Sequence, residues 1–205
     1  MNSPLPTVYL FDLDSTLYGP GDFIDTDDDQ VYYSSFQRKD LLNKLLGSIK
    51  QPKYIITNAN LRHANDVLRR LGIKHHFGDI ISIDDVRNEK PHQEPYQLAY
   101  RRFSMQPHDH IVFFEDNVHN LLTAKTNNWQ TVLIDPEYDS QRGGSSHRHV
   151  DLTFNNIEQA LIHFITKSKG TATQSSHLHN GGSHVKRSRA RRRTARRRLE
   201  KHLNS

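Results

Sequence analysis

Short apolar runs alternate with longer amphipathic segments over the first 165 residues of the chain. The apolar runs predict six strands, at residues 8–11, 54–57, 79–83, 111–115, 131–134 and 151–154. Apolar residues at helical spacing predict helices over residues 38–49, 60–72 and 91–103, from Asn117 onward, and over 155–165. Short apolar strands that alternate with amphipathic helices are typical of a parallel sheet covered on both faces. The pattern therefore predicts an α/β fold, a three-layer Rossmann-like parallel sheet.

Two of the predicted helices carry stripes of apolar residues at helical spacing. The first stripe consists of Leu41, Leu42, Leu45 and Leu46. In the helix after Asn117 the stripe consists of Val118, Leu121 and Leu122. By contrast, the acidic, turn-rich residues 19–30 (GPGDFIDTDDDQ) predict an exposed loop.

Composition limits the classes of site that the chain can form. Hydrophobic residues make up 34% of its 205 residues, a low fraction which indicates that part of the chain lies outside a packed core. The absence of cysteine excludes disulfides, thiolate metal sites and a cysteine nucleophile. No apolar run approaches the roughly 20 residues that span a bilayer, and the N-terminus lacks a secretory pattern. We therefore expect a cytoplasmic protein without integral membrane association.

The net charge of +5 is concentrated at one end of the chain. Residues 186–201 hold ten Lys/Arg and one acid, so the rest carries 18 basic against 22 acidic residues, a net charge of −4. Residues 167–185 are rich in Ser, Thr, Gly, His and Asn without periodicity, which is typical of a flexible linker. The sequence therefore predicts a folded domain over 1–166, a linker over 167–185 and a disordered Arg-rich tail over 186–205.

Acidic side chains stand at the carboxyl ends of two predicted strands. Asp12 and Asp14 follow the first strand, and Glu115 and Asp116 end the fourth. Parallel sheets bind ligands outside the carboxyl ends of their strands, so we expect these four residues to meet in one crevice. Four carboxylates in one cleft repel each other unless a cation lies between them, and oxygen ligands suit a hard divalent ion such as Mg²⁺.

A hydroxyl and an ammonium group are predicted to face these carboxylates. Thr57 ends the second strand, and Lys90 lies in the turn NEKPH. A metal on one side, with hydroxyl and ammonium on the other, suits a tetrahedral dianion such as a phosphoryl group. A carboxylate can then act as nucleophile through an aspartyl-phosphate. Taken singly, these residues have plainer interpretations as solvated turn residues, a helix-start acidic pair or a surface lysine; their combination favours a site.

Four short motifs occur in order along the chain: DLDST (12–16), IITNA (55–59), Lys90-Pro91 and FFEDN (113–117). In this order, and each at a predicted strand end or turn, they resemble the motifs of the haloacid dehalogenase (HAD) superfamily over roughly residues 7–165. Their contexts, FDLDSTLY, EKPH and EDNVHN, resemble the pyrimidine 5′-nucleotidase-like phosphatases most closely. The resemblance implies a Mg²⁺-dependent phosphomonoesterase, with nucleotides or larger phosphorylated molecules as candidate substrates.

The resemblance also implies a role for each matched residue. Asp12 is the nucleophile, and Asp14 is the general acid for the leaving alcohol and then the base for the hydrolytic water. Relatives that act as dehalogenases lack a carboxylate at the position of Asp14, which favours phosphate chemistry. The implied phosphate-binding residues are Thr57, Asn58 and Lys90. The implied metal site consists of Asp12, Asp14 through its backbone carbonyl, Asp116 as a direct ligand, and Glu115, which in relatives is often an Asp that reaches the metal through water. Asn117 and Asn120 match positions that brace the site.

The chain between the first two motifs is shorter than in relatives that carry a helical cap there. After the helix at 38–49 and the strand at 54–57, roughly residues 18–36 remain. We expect this segment to form a flap or a vestigial cap, and the site to be open. An open site fits a large phosphorylated substrate or weak discrimination among small ones.

The basic tail has several interpretations. Its candidate nucleic-acid-binding residues are Arg187, Arg189, Arg191, Arg192, Arg193, Arg196, Arg197 and Arg198. Such a charge density favours salt-dependent binding to RNA or DNA, although a solvated tail, an acidic membrane surface or a nuclear import signal in a eukaryotic host fits as well. A non-catalytic HAD-like protein that engages RNA or DNA through this tail is the competing hypothesis for the whole chain; the intact motifs favour an enzyme.

Overall fold

The computed structural model describes residues 6–138 and 147–175, with side chains up to residue 168. Within these residues the strands are β1 (Thr7–Phe11), β2 (Lys53–Ile56), β3 (Ile80–Ile81), β4 (His110–Glu115), β5 (Gln130–Ile134) and β6 (Leu152–Phe154). They form one sheet in the order β3-β2-β1-β4-β5-β6, and all pairs are parallel. The predicted α/β fold with a parallel sheet is confirmed.

The helices of the described residues are α1 (Asp29–Ser35), α2 (Asp40–Ser48), α3 (Leu61–Arg70), α4 (Gln93–Arg102), α5 (Val118–Thr126) and α6 (Ile157–Ser175). All but α1 correspond to predicted helices. The helix α1 overlaps the end of the predicted loop at 19–30, because the Asp28 side chain caps it by accepting hydrogen bonds from the N–H groups of Gln30 and Val31. None of the helices in the described part of the chain is long and apolar enough to span a membrane.

Two apolar clusters fill the space on the two faces of the sheet. One contains buried residues of α2, α3 and α6, such as Leu42, Val67 and Leu161. The other contains buried residues of α4 and α5, such as Ala99 and Leu121. Aromatic residues of the central strands contribute to both clusters, and burial of this apolar surface is the main favourable contribution to folding. Helices on both sides of the sheet give the three layers that the sequence predicts.

Two members of the apolar stripes are exposed. Leu41 of α2 is 50% exposed and Leu122 of α5 is 47% exposed. Each precedes or follows a residue that does face the core, Leu42 and Leu121, and successive helical residues are rotated by about 100°. The contact face of these short helices is therefore narrower than the stripe.

The predicted linker at 167–185 begins within a helix, because α6 continues to Ser175. Propagation adds one hydrogen bond for each residue that is fixed, so a helix nucleated by its buried first turns extends past them. The remaining linker residues and the tail arginines lie outside the described residues, and their predicted boundaries and binding role stay predictions.

The strand order places the candidate site. Chain connections lead from β1 to β2 and β3 on one side, and then cross to β4 and β5 on the other. The order of strands reverses between β1 and β4, and a crevice at the carboxyl ends of such a pair is the usual ligand site of open α/β sheets. Asp12 follows β1 and Glu115 ends β4, so both border this crevice.

Candidate active site

Asp12 lies at the centre of the crevice and is fixed from several sides. Its N–H donates to the carbonyl oxygen of Phe114 at 2.9 Å, which continues the pairing of β1 with β4. The residue is buried. One carboxylate oxygen accepts a hydrogen bond from Thr16 Oγ1 at 3.1 Å, and the other accepts from Lys90 Nζ at 2.6 Å. Thr16 belongs to the DLDST motif, but its hydroxyl was not among the predicted site residues.

The ammonium group of Lys90 joins the two carboxylate-bearing strands. It is buried and donates to Asp12 Oδ1 at 2.6 Å, to Glu115 Oε2 at 2.7 Å and to the carbonyl oxygen of Ile56 at 2.8 Å. These three partners match the three N–H donors of an ammonium group. A phosphoryl contact from Lys90 would therefore replace or share one of these hydrogen bonds.

Asn58, a predicted phosphate-binding residue, is engaged with the backbone of Lys90. Its side-chain Nδ2 donates to the Lys90 carbonyl oxygen at 2.9 Å, and its Oδ1 accepts from the Lys90 N–H at 3.0 Å. The Asn58 amide thus holds the turn that presents the lysine. Its predicted contact with phosphate stays a prediction.

Burial and mutual charge set the protonation of this group. Burial raises the pKa of Asp12 to about 7, and the charge of Glu115 adds to this effect while Lys90 opposes it. Burial lowers the pKa of Lys90, but the charges of Asp12 and Glu115 outweigh burial and hold it above its ordinary value. Burial also raises the pKa of Glu115 and of Asp116. The carboxylates are crowded enough to favour a second cation beside Lys90.

Asp12, Glu115 and Asp116 form the group that fits a metal ion. Each offers a carboxylate oxygen, and these oxygens lie within 4.8 Å of one another. The oxygens around an octahedral Mg²⁺ are at most about 4.2 Å apart, since each bond is about 2.1 Å long. The described donor set is all oxygen and needs only a small contraction, so these residues fit Mg²⁺. The Asp14 side chain lies outside this group, and the predicted metal contact of its backbone carbonyl stays a prediction.

Glu115 has two partners besides the candidate metal position. It accepts from Lys90, and its other oxygen accepts from the N–H of Asn117 at 3.1 Å. Asn117 in turn caps α5, because its side chain accepts from the N–H of His119 at 2.9 Å. Asn120 is buried one turn later, and its carbonyl oxygen accepts from the Tyr96 hydroxyl at 2.8 Å. The two asparagines thus lie in the helix start that shapes this side of the crevice.

Asp14 faces a different set of residues from Asp12. Its Oδ1 accepts from His63 Nε2 at 2.9 Å and from the Tyr18 hydroxyl, and its Oδ2 lies 3.5 Å from Thr57 Oγ1. Burial acts to raise the pKa of Asp14, but the hydrogen bonds from His63 and Tyr18 outweigh it, so that its pKa lies below its ordinary value. Thr57 also accepts from the N–H of Ala59 at 3.0 Å.

The sequence-based prediction missed His63 and Tyr18. His63 lies in the first turn of α3, where the Asn60 side chain caps the helix and accepts from the His63 N–H at 2.8 Å. Tyr18 follows Asp14 by four residues. The signal for His63 was its place six residues after Thr57, in the first turn of the helix that follows a strand with a site residue at its end. Tyr18 carried no signal beyond nearness to the first motif.

An aromatic cluster formed by the segment 18–36 borders this side of the site. It consists of Tyr18, Phe23, Tyr32 and Phe36, whose ring centroids lie 5.1–5.7 Å apart in successive contacts. The helix α1 adds Tyr33, whose hydroxyl lies 3.0 Å from His63 Nδ1. The segment predicted to be a flap or vestigial cap is therefore packed beside Asp14.

Comparisons with known proteins identify the family to which the chain is similar. The family model described as haloacid dehalogenase-like hydrolase matches residues 30–134. Pyrophosphatase PpaX of Bacillus pumilus is 39% identical over 67 residues, which are 33% of this chain and 31% of that protein. Phosphoglycolate phosphatase of Salmonella choleraesuis is 34% identical over 71 residues, 35% of this chain and 28% of that protein. The chain thus spans about a third of the length of these relatives.

A solved structure supports the fold. The L-2-haloacid dehalogenase of Xanthobacter autotrophicus superposes with a TM-score of 0.54 at 14% sequence identity, over 72% of this chain and 69% of that one. At this sequence identity the likeness shows that the two chains share a fold.

Proposed function

Because the chain belongs to the haloacid dehalogenase-like hydrolases, we propose that it is a Mg²⁺-dependent phosphomonoesterase that acts through a phosphorylated Asp12. The observation that carries the proposal is the buried ammonium of Lys90, which lies 2.6 Å from Asp12 and 2.7 Å from Glu115. It fixes a carboxylate beside a group of acidic oxygens that fits a divalent cation. A nucleophile held in place in this way is preorganised for in-line attack.

In the proposed reaction an Asp12 oxygen attacks phosphorus as the bond from phosphorus to the alcohol oxygen breaks. The Asp14 carboxyl group gives its proton to that leaving oxygen. Asp14 then takes a proton from a water molecule as the water oxygen attacks phosphorus and the bond from phosphorus to the Asp12 oxygen breaks. Inorganic phosphate leaves, and both carboxyl groups return to their starting states.

Asp12, Glu115 and Asp116 would hold Mg²⁺, with the Asp14 backbone carbonyl as a further ligand. The bound ion supplies positive charge that offsets the repulsion between the Asp12 carboxylate and the phosphoryl oxygens. Lys90 remains against Asp12 and supplies a second positive charge at the same place. Thr57, Asn58 and Lys90 are the proposed phosphate-binding residues.

The test of the activity is hydrolysis of p-nitrophenyl phosphate with Mg²⁺ and with EDTA. We expect metal-dependent turnover in the wild-type chain and a loss of at least about 10³-fold in Asp12→Asn, since the nucleophile is removed. Asp109→Asn is the matched control, because Asp109 lies just before the amino-terminal end of β4, whereas the candidate site lies at the carboxyl end of this strand. Turnover that survives EDTA or Asp12→Asn would contradict the proposal and favour the non-catalytic alternative.

The proposed substrates are phosphate monoesters that enter an open site beside a reduced cap at residues 18–36. Within this class of substrates we propose nucleoside 5′-monophosphates, because the sequences around the motifs resemble those of the 5′-nucleotidase-like phosphatases. The relatives are named for pyrophosphate and phosphoglycolate hydrolysis. A panel of nucleoside monophosphates, pyrophosphate and phosphoglycolate compared by kcat/KM separates these classes. A preference of less than about tenfold for nucleotides would contradict the nucleotidase specificity.

We also propose that the basic tail binds nucleic acid. The support is its ten Lys/Arg over residues 186–201. Binding of RNA and DNA across salt concentrations is compared for the full chain and for the full chain with the eight tail arginines replaced by glutamine. We expect the wild-type affinity to fall steeply with salt and the replaced chain to lose most of its affinity. Equal affinities would contradict a role for the tail in nucleic-acid binding.

A further inference from the structure

We propose that His63 is a positioning residue that holds the Asp14 carboxylate for proton transfer, and that α1 in turn holds His63 through the Tyr33 hydroxyl. This inference rests on the proposed function, because it concerns the step in which Asp14 gives up and takes back a proton. It adds to that function a physical link between the segment at 18–36 and the chemistry.

The contact between His63 and Asp14 is direct and largely enclosed on the histidine side, whereas the Asp14 side chain is 43% exposed. His63 Nε2 lies 2.9 Å from Asp14 Oδ1, and the His63 side chain is 17% exposed. The Tyr18 hydroxyl donates to the same carboxylate oxygen and lies 3.3 Å from His63 Nε2. Two donors on one oxygen fix the rotation of the carboxyl group more strongly than one donor does.

The direction of the hydrogen bonds at the two ring nitrogens of His63 follows from the Asp14 oxygen that one of them contacts. Asp14 Oδ1 is an acceptor both in the ionised carboxylate and when the proton is on Oδ2, so Nε2 must carry the proton that it donates to Oδ1. In the neutral ring Nδ1 is then an acceptor, and its partner is the Tyr33 hydroxyl at 3.0 Å. The chain of hydrogen bonds therefore runs from the Tyr33 O–H to His63 Nδ1, and from His63 Nε2–H to Asp14.

The packing around His63 limits the ring to this orientation. Its ring stacks against Tyr32 at 6.3 Å with an interplanar angle of 27°, and the Tyr33 ring lies 5.7 Å away. The Arg70 guanidinium lies over the Tyr33 ring, 5.9 Å from the ring centroid. Contacts of this kind hold α1 against α3, the helix that carries His63.

This arrangement assigns different tasks to the two oxygens of Asp14. Oδ1 accepts the two hydrogen bonds described above, whereas the partner of Oδ2 among the described residues is Thr57 Oγ1 at the longer distance of 3.5 Å. Oδ2 is therefore the oxygen that is free to pass its proton to the leaving alcohol oxygen as the bond to phosphorus breaks. In the second step the same oxygen accepts the proton of the attacking water.

The test is the dependence of kcat/KM on the leaving group, because kcat/KM reports the steps up to departure of the alcohol. Alkyl phosphates need a proton from Asp14, whereas p-nitrophenolate leaves with little help. We expect His63→Leu to lower kcat/KM by about 10- to 100-fold for an alkyl phosphate and by no more than about threefold for p-nitrophenyl phosphate. Tyr33→Phe should also lower kcat/KM more for the alkyl phosphate than for p-nitrophenyl phosphate, but by a smaller factor than His63→Leu does.

Two controls separate positioning from a structural role. His63→Gln keeps an N–H donor near the place of Nε2 and should recover most of the alkyl phosphate activity. His108→Gln replaces an exposed histidine that precedes the amino-terminal end of β4, away from the candidate site at its carboxyl end. This variant should leave kcat/KM unchanged for both substrates. Equal losses on both substrates in His63→Leu, with no recovery in His63→Gln, would overturn the inference and leave the proposed function standing.

A second measurement does not depend on turnover. In the chain labelled with ¹⁵N-histidine, the His63 signal, identified by its absence in His63→Gln, should show the tautomer protonated at Nε2. The Nδ1-protonated tautomer would overturn the hydrogen-bond chain even in an active enzyme. A wild-type chain without metal-dependent turnover would overturn the proposed function, and this inference with it.

Discussion

Replacement of Lys90 by methionine removes the positive charge on which two buried carboxylates depend. The Lys90 side chain is 1% exposed, and the side chains of its partners Asp12 and Glu115 are 8% and 1% exposed. Methionine has a similar length, so the substitution removes the ammonium group and leaves little cavity. Both carboxylates and the carbonyl oxygen of Ile56 then lose their shared donor.

The expected cost follows from this stranded charge. Removal of one partner of a buried ion pair costs about 3–5 kcal/mol. We expect a loss of this size in the free energy of unfolding, measured by urea denaturation in EDTA at neutral pH. It is a large share of the roughly 5–15 kcal/mol that stabilises an ordinary domain. In Lys90→Met with Glu115→Gln, one of the two carboxylates is neutral, so about 1–2 kcal/mol of the loss should return.

Lys53 provides the matched control, because it is a second buried lysine with neutral partners. Its Nζ donates to the carbonyl oxygens of Ile49 at 2.6 Å and Gln51 at 3.1 Å, and within the described residues it forms no ion pair. Burial lowers the pKa of Lys53. Lys53→Met strands no charge and should cost no more than about 1.5 kcal/mol. Equal costs at Lys90 and Lys53, or a cost below about 1 kcal/mol at Lys90, would refute the reasoning.

Three further predictions concern single contacts. Thr16→Val keeps the shape of the side chain but removes the donor to Asp12, and should lower kcat about tenfold while unfolding measurements change by only about 1 kcal/mol; an unchanged kcat would contradict it. Mg²⁺ at about 100 times its Kd should raise the free energy of unfolding by ~2.7 kcal/mol, and this gain should disappear in Asp116→Asn; a retained gain would place the ion elsewhere. Asp151 accepts from Lys125 and Thr131; burial acts to raise its pKa, but these hydrogen bonds outweigh burial and lower it. Asp151→Asn should therefore cost about 1 kcal/mol near neutral pH, and the difference from wild type should vanish as the pH falls below about 4, through the lowered pKa of the folded state; a constant difference would contradict this origin.

The parts of the site that lie on strand ends could be predicted from the sequence. Asp12 follows β1 and Glu115 ends β4, and the alternation of strands and helices is enough to bring such strand ends together. The order of the motifs predicts that Lys90 belongs to the site. Its three partners were not predictable in detail, because they depend on how the turn before α4 folds back over β2 and on the Asn58 amide that holds this turn.

The parts that depend on packing between helices could not be predicted. His63 and Tyr33 are 30 residues apart, and they meet because α1 packs on α3. The helix α1 itself gave a weak signal, since its seven residues DQVYYSS include three aromatic or β-branched residues and none of them is fully buried. The exposure of Leu41 has the same origin, because a residue at the edge of an apolar stripe is buried only where a neighbouring element covers it.

The position of β1 inside the sheet has a consequence for the order in which parts of the molecule open. β1 is paired with β2 on one side and β4 on the other, so its amides can exchange with solvent hydrogen only when the whole sheet unfolds. No residue of α1 is fully buried, so this helix should detach at a much lower free energy. A fluctuation of α1 would therefore release Tyr33 and loosen the support of Asp14 while Asp12 keeps its place. The carboxylates of Asp12 and Asp14 are two residues apart in the chain, yet their supporting elements, β1 and α1, differ greatly in local stability. A bulky ester can therefore gain entry by detaching α1 while β1 stays intact.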